Sequence, residues 1–203
     1  SEEVKLMAVT KRFPLQIAAE AYACGLTLLG ENRVQEGVEK ISQANFPARW
    51  ELIGHLQSNK AQLAVQYFDR IQSVDSLKLA NRLGRFARES GKTIPILLQI
   101  NTGHDPGKFG MEVQDVDSLL EEVLKLESVQ VEGFMTIAPL PPQSDTAKKA
   151  FEDLRLLRDR LSESFGRNFP ELSMGMSFDL EAAIEAGSTC IRVGTGIFGE
   201  RPV

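Results

Sequence analysis

The sequence predicts an α/β fold, a single (βα)8 TIM barrel spanning residues 1–203. Three observations carry that expectation. Short apolar runs alternate with amphipathic stretches along the whole chain. Eight such runs occur, at about the 25-residue spacing of a strand-helix unit. Most are β-branched or Leu-rich and apolar on both faces, as parallel strands covered by helices must be. The rival, an open doubly wound sheet, usually has fewer strands. At 203 residues the chain sits at the compact end of the barrel range. No low-complexity tract, repeat of residue identity or composition shift marks a second domain.

The elements follow in order. "VKLMAVT" (4–10) is the first strand and ends on Lys11. "PLQIAAEAYACG" (14–25) opens with Pro and closes with Gly, the asymmetry of helix ends. "TLLG" (27–30), "WELIG" (50–54) and "RIQSV" (70–74) are strands two to four. Residues 74–91 form a helix with Leu77, Leu79, Ala80, Leu83, Phe86 and Ala87 on one face and Gly91 as its stop. "IPILLQIN" (94–101) and "VQVEGFMTI" (129–137) are strands five and six, followed by a rigid loop over 138–145. A helix over 146–165 stripes Phe151, Leu154, Leu157 and Leu161 along one side, its charges on solvated faces. "ELSMGM" (171–176) and "TCIRVG" (189–194) complete the eight.

Composition narrows the function. Net charge is −5, which argues against nucleic acid or an anionic membrane surface as partner. No apolar run is long enough to cross a bilayer, and "SEEVK" reads as neither a secretory nor a transit signal. Cys24 and Cys190, far apart in sequence, read as two buried free thiols in a reducing, cytoplasmic compartment. With only His55 and His104 and no Cys-x-x-Cys, no metal site is expected.

In a (βα)8 barrel the active site lies at the C-terminal ends of the strands. In chain order those ends carry Lys11, Glu31-Asn32, His55, Asp75, Asn101, Thr136, "MGMSFD" (174–179) and Arg192 followed by "VGTGIFGE" (193–200). The last two loops hold Gly175, Ser177, Gly194, Thr195 and Gly196. Barrel enzymes often bind phosphate with the loops after strands seven and eight. Glycine lets backbone N–H groups approach an anion, and the two hydroxyls can donate. The alternative is that these glycines only serve tight turns. "GTGIFG" (194–199) matches G-x-G-x-x-G but leaves no room for a βαβ unit after it. "GHDPGKF" (103–109) is one residue short of a P-loop and has Phe109 where Ser or Thr should stand; it reads as a mobile solvated loop.

Strands one and eight are neighbours in a closed barrel, so Lys11 and Arg192 would flank one small ligand. A partly desolvated lysine beside cations has a lowered pKa and supplies the neutral amine that attacks an aldehyde. A ligand with both aldehyde and phosphate is pyridoxal 5'-phosphate (PLP), whose protein partners are a Schiff-base Lys and an Asp or Arg at the pyridine nitrogen.

At these residues the sequence closely resembles the YggS/PROSC family, the pyridoxal-phosphate homeostasis proteins. The resemblance covers essentially the whole chain. It rests on "AVTK" (8–11), "GENRVQE" (30–36), "WELIGHLQSNK" (50–60), "SVDSLKLA" (73–80), "GFMTI" (133–137), "LSMGMSFDLEAAIEAG" (172–187) and "IRVGTGIFG" (191–199). It implies a barrel like the N-terminal domain of alanine racemase (PLP fold type III), a PLP site and no established turnover. By motif, Lys11 would form the internal aldimine and Arg192 would face the pyridine nitrogen. Ser177, Gly194 and Thr195 would hold the phosphate. Asn32 would line the cofactor near its ring, with Met174 and Met176 close by. His55 stands in a family motif, either as a site residue or as a structural hydrogen-bonding one. Family members often carry Ser where this chain has Thr10, which keeps the hydroxyl. They usually also carry a helix before the first strand, where this sequence has Ser1–Glu3.

An arginine at the pyridine nitrogen keeps its own proton, so it makes PLP a weaker electron sink than an aspartate would. Alanine racemases add a tyrosine base from a second domain. Here Tyr22 and Tyr67 fall in predicted helices away from the mouth. The expectation is a monomeric, cytoplasmic PLP carrier or regulator acting in vitamin B6 and amino-acid homeostasis. Its partners would be PLP and, unidentified, a PLP-dependent apo-enzyme or a regulatory protein. The alternative is a PLP-dependent racemase or lyase of narrow specificity.

Overall fold

Runs that are apolar on both faces need cover on both, and closing the sheet supplies it. The computed structural model describes residues 4–139 and 145–200. In it, eight parallel strands form a closed barrel in chain order. They are β1 (Lys5–Val9), β2 (Leu28–Glu31), β3 (Arg49–Leu52), β4 (Arg70–Val74), β5 (Ile94–Gln99), β6 (Val129–Met135), β7 (Glu171–Ser173) and β8 (Cys190–Val193). Ala8 of β1 pairs with Leu29 on one side and Val193 on the other, which closes the ring. Every expected strand is present. Ser1–Glu3 and most of the loop expected over 138–145 lie outside the described residues.

The outer helices are α1 (Leu15–Ala23), α2 (Val34–Gln43), α3 (Ala61–Tyr67), α4 (Leu77–Glu89), α5 (Val116–Val123), α6 (Asp145–Phe165), α7 (Leu180–Glu185) and the single turn α8 (Thr195–Phe198). Ser76 caps α4, its Oγ accepting from the Leu79 N–H at 3.4 Å. The stripe of α6 is buried as its period requires: Phe151, Leu154, Leu157 and Leu161.

Side chains alternate between two interiors, as strand geometry demands. Ala8, Leu29, Leu52, Ile71 and Leu172 point outward into the core shared with the helices. Met7, Val9, Ile53 and Cys190 form a second, smaller apolar cluster. Their strand neighbours place it inside the barrel. Around it stand buried polar residues of the same parity: Glu51, Arg70, Gln72, Ser173 and Arg192.

The two cysteines differ from expectation. Both are free, but only Cys190 is buried; Cys24 is exposed, because it follows the last turn of α1 on the solvent side. Burial pushes the Cys190 thiol up to about 11, so it is inert. β7 ends three residues earlier than expected. Gly175 breaks it with φ +94°, where a Cβ would stand 2.5 Å from that of Ala183.

Candidate functional site

A cavity of about 380 Å³ opens at the C-terminal ends of the strands. The turn after β1 brings Lys11 to it, β2 brings Asn32, β3 brings His55, and β8 brings Arg192. The loops after β7 and β8 bring Met176, Ser177, Gly194 and Thr195. Seven of the eight residues singled out for a cofactor therefore converge on one space. Met174 does not. It is fully buried among the outward-facing core residues, because it keeps the parity of Leu172, while Ser173 faces the interior. Met176, past the break at Gly175, reaches the cavity instead.

Arg192 is 4% exposed. Its Nη1 donates to Ser173 Oγ and its Nη2 to the Thr136 carbonyl, both at 2.8 Å. Among the described residues it forms no ion pair. Burial pushes its pKa down, with Cys190 and Asp179 acting the other way. Behind it runs a buried relay. Ser173 Oγ donates to Gln72 Oε1 at 2.6 Å, and Gln72 Nε2 donates to Glu51 Oε2 at 2.6 Å. Glu51 Oε2 also accepts from Arg70 Nε at 2.9 Å. The order of donors fixes each rotor. An ionised Glu51 only accepts, so the Gln72 amide must point its N–H there and its oxygen at Ser173. Ser173 then gives its proton to Gln72 and keeps a lone pair for Arg192.

The loops after β7 and β8 are tied to each other. Ser177 Oγ accepts from the Gly196 N–H at 3.1 Å, and Asp179 Oδ1 accepts from the Met176 N–H at 2.6 Å. Burial raises the Asp179 carboxyl above its ordinary range, against the opposing effects of that N–H, Arg192 and Lys108. Gly54, on the β3 side, crosses against the Asn32 backbone, where a Cβ would lie 2.1 Å from the Asn32 carbonyl oxygen. That crossing holds Asn32 beside His55.

The mouth contains residues the sequence did not reveal. Phe109 stacks on His55 with ring centroids 3.8 Å apart and planes 12° from parallel. Gln99, Ile137 and Phe178 line the same space. The segment 103–109, expected as a mobile solvated loop, is solvent-facing, and its ends are hydrogen-bonded to their surroundings. Gln99 Nε2 donates to the Phe109 carbonyl at 3.1 Å, Asn101 Nδ2 to the Asp105 carbonyl at 3.1 Å, and Lys108 Nζ to the Ala138 carbonyl. The Phe that disqualifies it as a P-loop is the residue it delivers to the site. His55 Nδ1 lies 3.5 Å from Asp75 Oδ2, so Asp75 faces His55 rather than the cavity. Asn101 and Thr136, also at strand ends, are buried holders of loop and arginine. Tyr22 and Tyr67 sit in α1 and α3, outside the cavity lining. Among the described residues no group of three or more His, Cys, Asp or Glu could hold a metal, and no helix is long and apolar enough to cross a membrane.

A cation pair across a cavity at the mouth of a closed parallel barrel defines a class. The family model for the alanine racemase N-terminal domain matches residues 1–202. The alanine racemase of Clostridium difficile 630 shares that fold, with TM-score 0.84 at 18% identity over 100% of this chain and 54% of its own. Closer similarity lies elsewhere. The pyridoxal phosphate homeostasis protein of Pasteurella multocida (strain Pm70) is 38% identical over 202 residues, 98% of this chain and 87% of its own. PipY of Synechococcus elongatus PCC7942, whose structure was solved with PLP bound, is 41% identical, with TM-score 0.91 over 97% of this chain and 92% of its own. The chain belongs to the pyridoxal phosphate homeostasis protein family.

Proposed function

We propose that this protein binds PLP reversibly in the barrel mouth and serves its homeostasis, as a monomeric cytoplasmic carrier or regulator without turnover. One observation carries the reading: Lys11 and a buried Arg192 line the same cavity as a glycine- and hydroxyl-rich loop pair. The residues fit the cofactor. A buried guanidinium that forms no ion pair among the described residues can donate to an electron-rich group, and a pyridine nitrogen is one. A Cβ added at Gly196 would lie 3.0 Å from Val193 Cγ1, so the loop backbone packs tightly on the end of β8 there. PipY, solved with PLP bound, supports the assignment at 41% identity.

In this reading Ser177, Gly194 and Thr195 hold the phosphate, Arg192 faces the ring nitrogen, and Asn32 and Met176 flank the ring. Lys11 would hold PLP at its aldehyde end, its amine being the group placed to bond there. PLP supplies the electrophilic aldehyde; the chain supplies binding and orientation. The relay from Glu51 keeps Arg192 oriented, and a guanidinium donates a hydrogen bond without giving up its proton.

A second reading, a racemase or lyase of narrow specificity, is favoured by one observation. His55, with Asp75 at 3.5 Å, stands in the cavity, and imidazole can give and take protons. Incubating PLP-saturated protein with single L- and D-amino acids separates the two. The carrier reading predicts no product. Product that disappears in both Lys11→Ala and His55→Ala would establish the second.

A further inference from the structure

Lys11 stands at the start of a turn whose backbone is held by charge. Thr10 is fully buried, and its Oγ1 donates to Glu31 Oε1 at 2.6 Å. Lys40, on the last turn of α2, is 6% exposed. Its ammonium donates to the Thr10 carbonyl at 2.8 Å, to Glu31 Oε1 at 2.7 Å and to Glu36 Oε1 at 2.9 Å. All three of its protons are thereby used. Glu36 Oε1 also accepts from the Arg12 N–H. So the peptide group before Lys11 is held by Lys40, and the peptide group after it by Glu36. Arg12 adopts φ +66°, a left-handed conformation that a non-glycine residue keeps only when its surroundings impose it.

We propose that Lys40 and Glu36, paired directly with each other and with Glu31 bound to the same ammonium, are positioning residues for Lys11: they pin the peptide groups on either side of it and so aim its side chain into the cavity. The proposal rests on the PLP reading of Lys11. A purely packing role explains the cluster less well. Burying ions is expensive, and an apolar residue at position 40 would serve packing as well or better. Here the cluster even leaves Glu31 Oε2 buried with no hydrogen-bond partner. What an apolar residue could not supply is the grip on the Thr10 carbonyl. The same turn reaches the phosphate side: the Phe13 ring lies 5.2 Å from that of Phe198 in α8. The clamp therefore sets Lys11 relative to the loop that ends at Gly199.

Two ligands test this. PLP reports on Lys11; pyridoxine 5'-phosphate, which has no aldehyde, reports on the ring and phosphate contacts alone. Glu36→Leu leaves Lys40 paired with Glu31, so the fold is kept. It should weaken PLP binding by about tenfold, the scale of one lost charge-assisted hydrogen bond. Borohydride trapping at Lys11 should slow in step. Affinity for pyridoxine phosphate should stay within about twofold of wild type, since no ring or phosphate contact changes. Glu36→Gln, whose Oε1 still accepts from the Arg12 N–H, should restore PLP binding. The double variant Glu31→Gln/Lys40→Met removes the cluster without stranding a buried carboxylate and should act in the same direction, more strongly. Equal weakening of both ligands, or no change in either, would overturn the clamp. A wild type that binds PLP no better than pyridoxine phosphate would overturn the Lys11 reading itself, and the clamp with it.

Discussion

Lys11 and Arg192 face one cavity from adjacent strands, and they are held there in opposite ways. Arg192 is buried and gripped by its own guanidinium, through neutral partners backed by a distant carboxylate. Lys11 is half-buried, and its neighbours' backbone is gripped instead, by ions that never enter the cavity. A side chain can thus be placed at its head, as Arg192 is, or by fixing the backbone that carries it, as at Lys11.

Substitutions can break either side of this contrast. The largest effect is expected at Glu51, which is fully buried and accepts from Arg49, Arg70 and Gln72. Glu51→Leu strands part of the Arg70 charge and should cost about 3–5 kcal/mol, read from urea unfolding. Ser173→Ala comes next. It leaves Arg192 Nη1 and Gln72 Oε1 without their shared partner, costs about 1–3 kcal/mol, and should weaken PLP and pyridoxine phosphate alike. That pattern differs from the one expected for Glu36→Leu, which weakens PLP alone, so the pair of variants sharpens the comparison directly. Phe109→Ala removes the stack on His55, should cost about 0.5–1.5 kcal/mol in urea unfolding, and should speed PLP release.

The smallest effect is a pH dependence. Burial raises the Asp179 carboxyl above its ordinary value, so across that interval the folded protein keeps a proton that the unfolded chain has lost. The stability this contributes is present below the ordinary Asp range and is lost as pH rises through the raised value. Glu31, raised by its burial, acts with the same sign. Asp179→Asn keeps an acceptor for the Met176 N–H and should flatten that slope in unfolding measured across the acid range.

The barrel was legible because both-face apolar runs leave few alternatives to closure. Lys11, Arg192 and the two glycine loops were legible because strand ends in a barrel share one mouth. Met174 was misplaced because the period-two parity continues past Ser173, and only the break at Gly175 turns the chain back inward. Phe109 was missed because a loop has no periodicity to say which way a side chain faces. The Glu31–Glu36–Lys40 cluster was unreadable for a different reason. Charges on a helix usually face water, and nothing within "GENRVQEGVEK" shows that Lys40 turns in toward the Thr10 carbonyl.

The most direct measurement of the central claim is an absorption spectrum of the protein with added PLP, then borohydride reduction and peptide mapping of the labelled lysine. A visible Schiff-base band with the label on Lys11, both absent in Lys11→Ala, is the predicted result. No band, or label scattered over surface lysines, would contradict it.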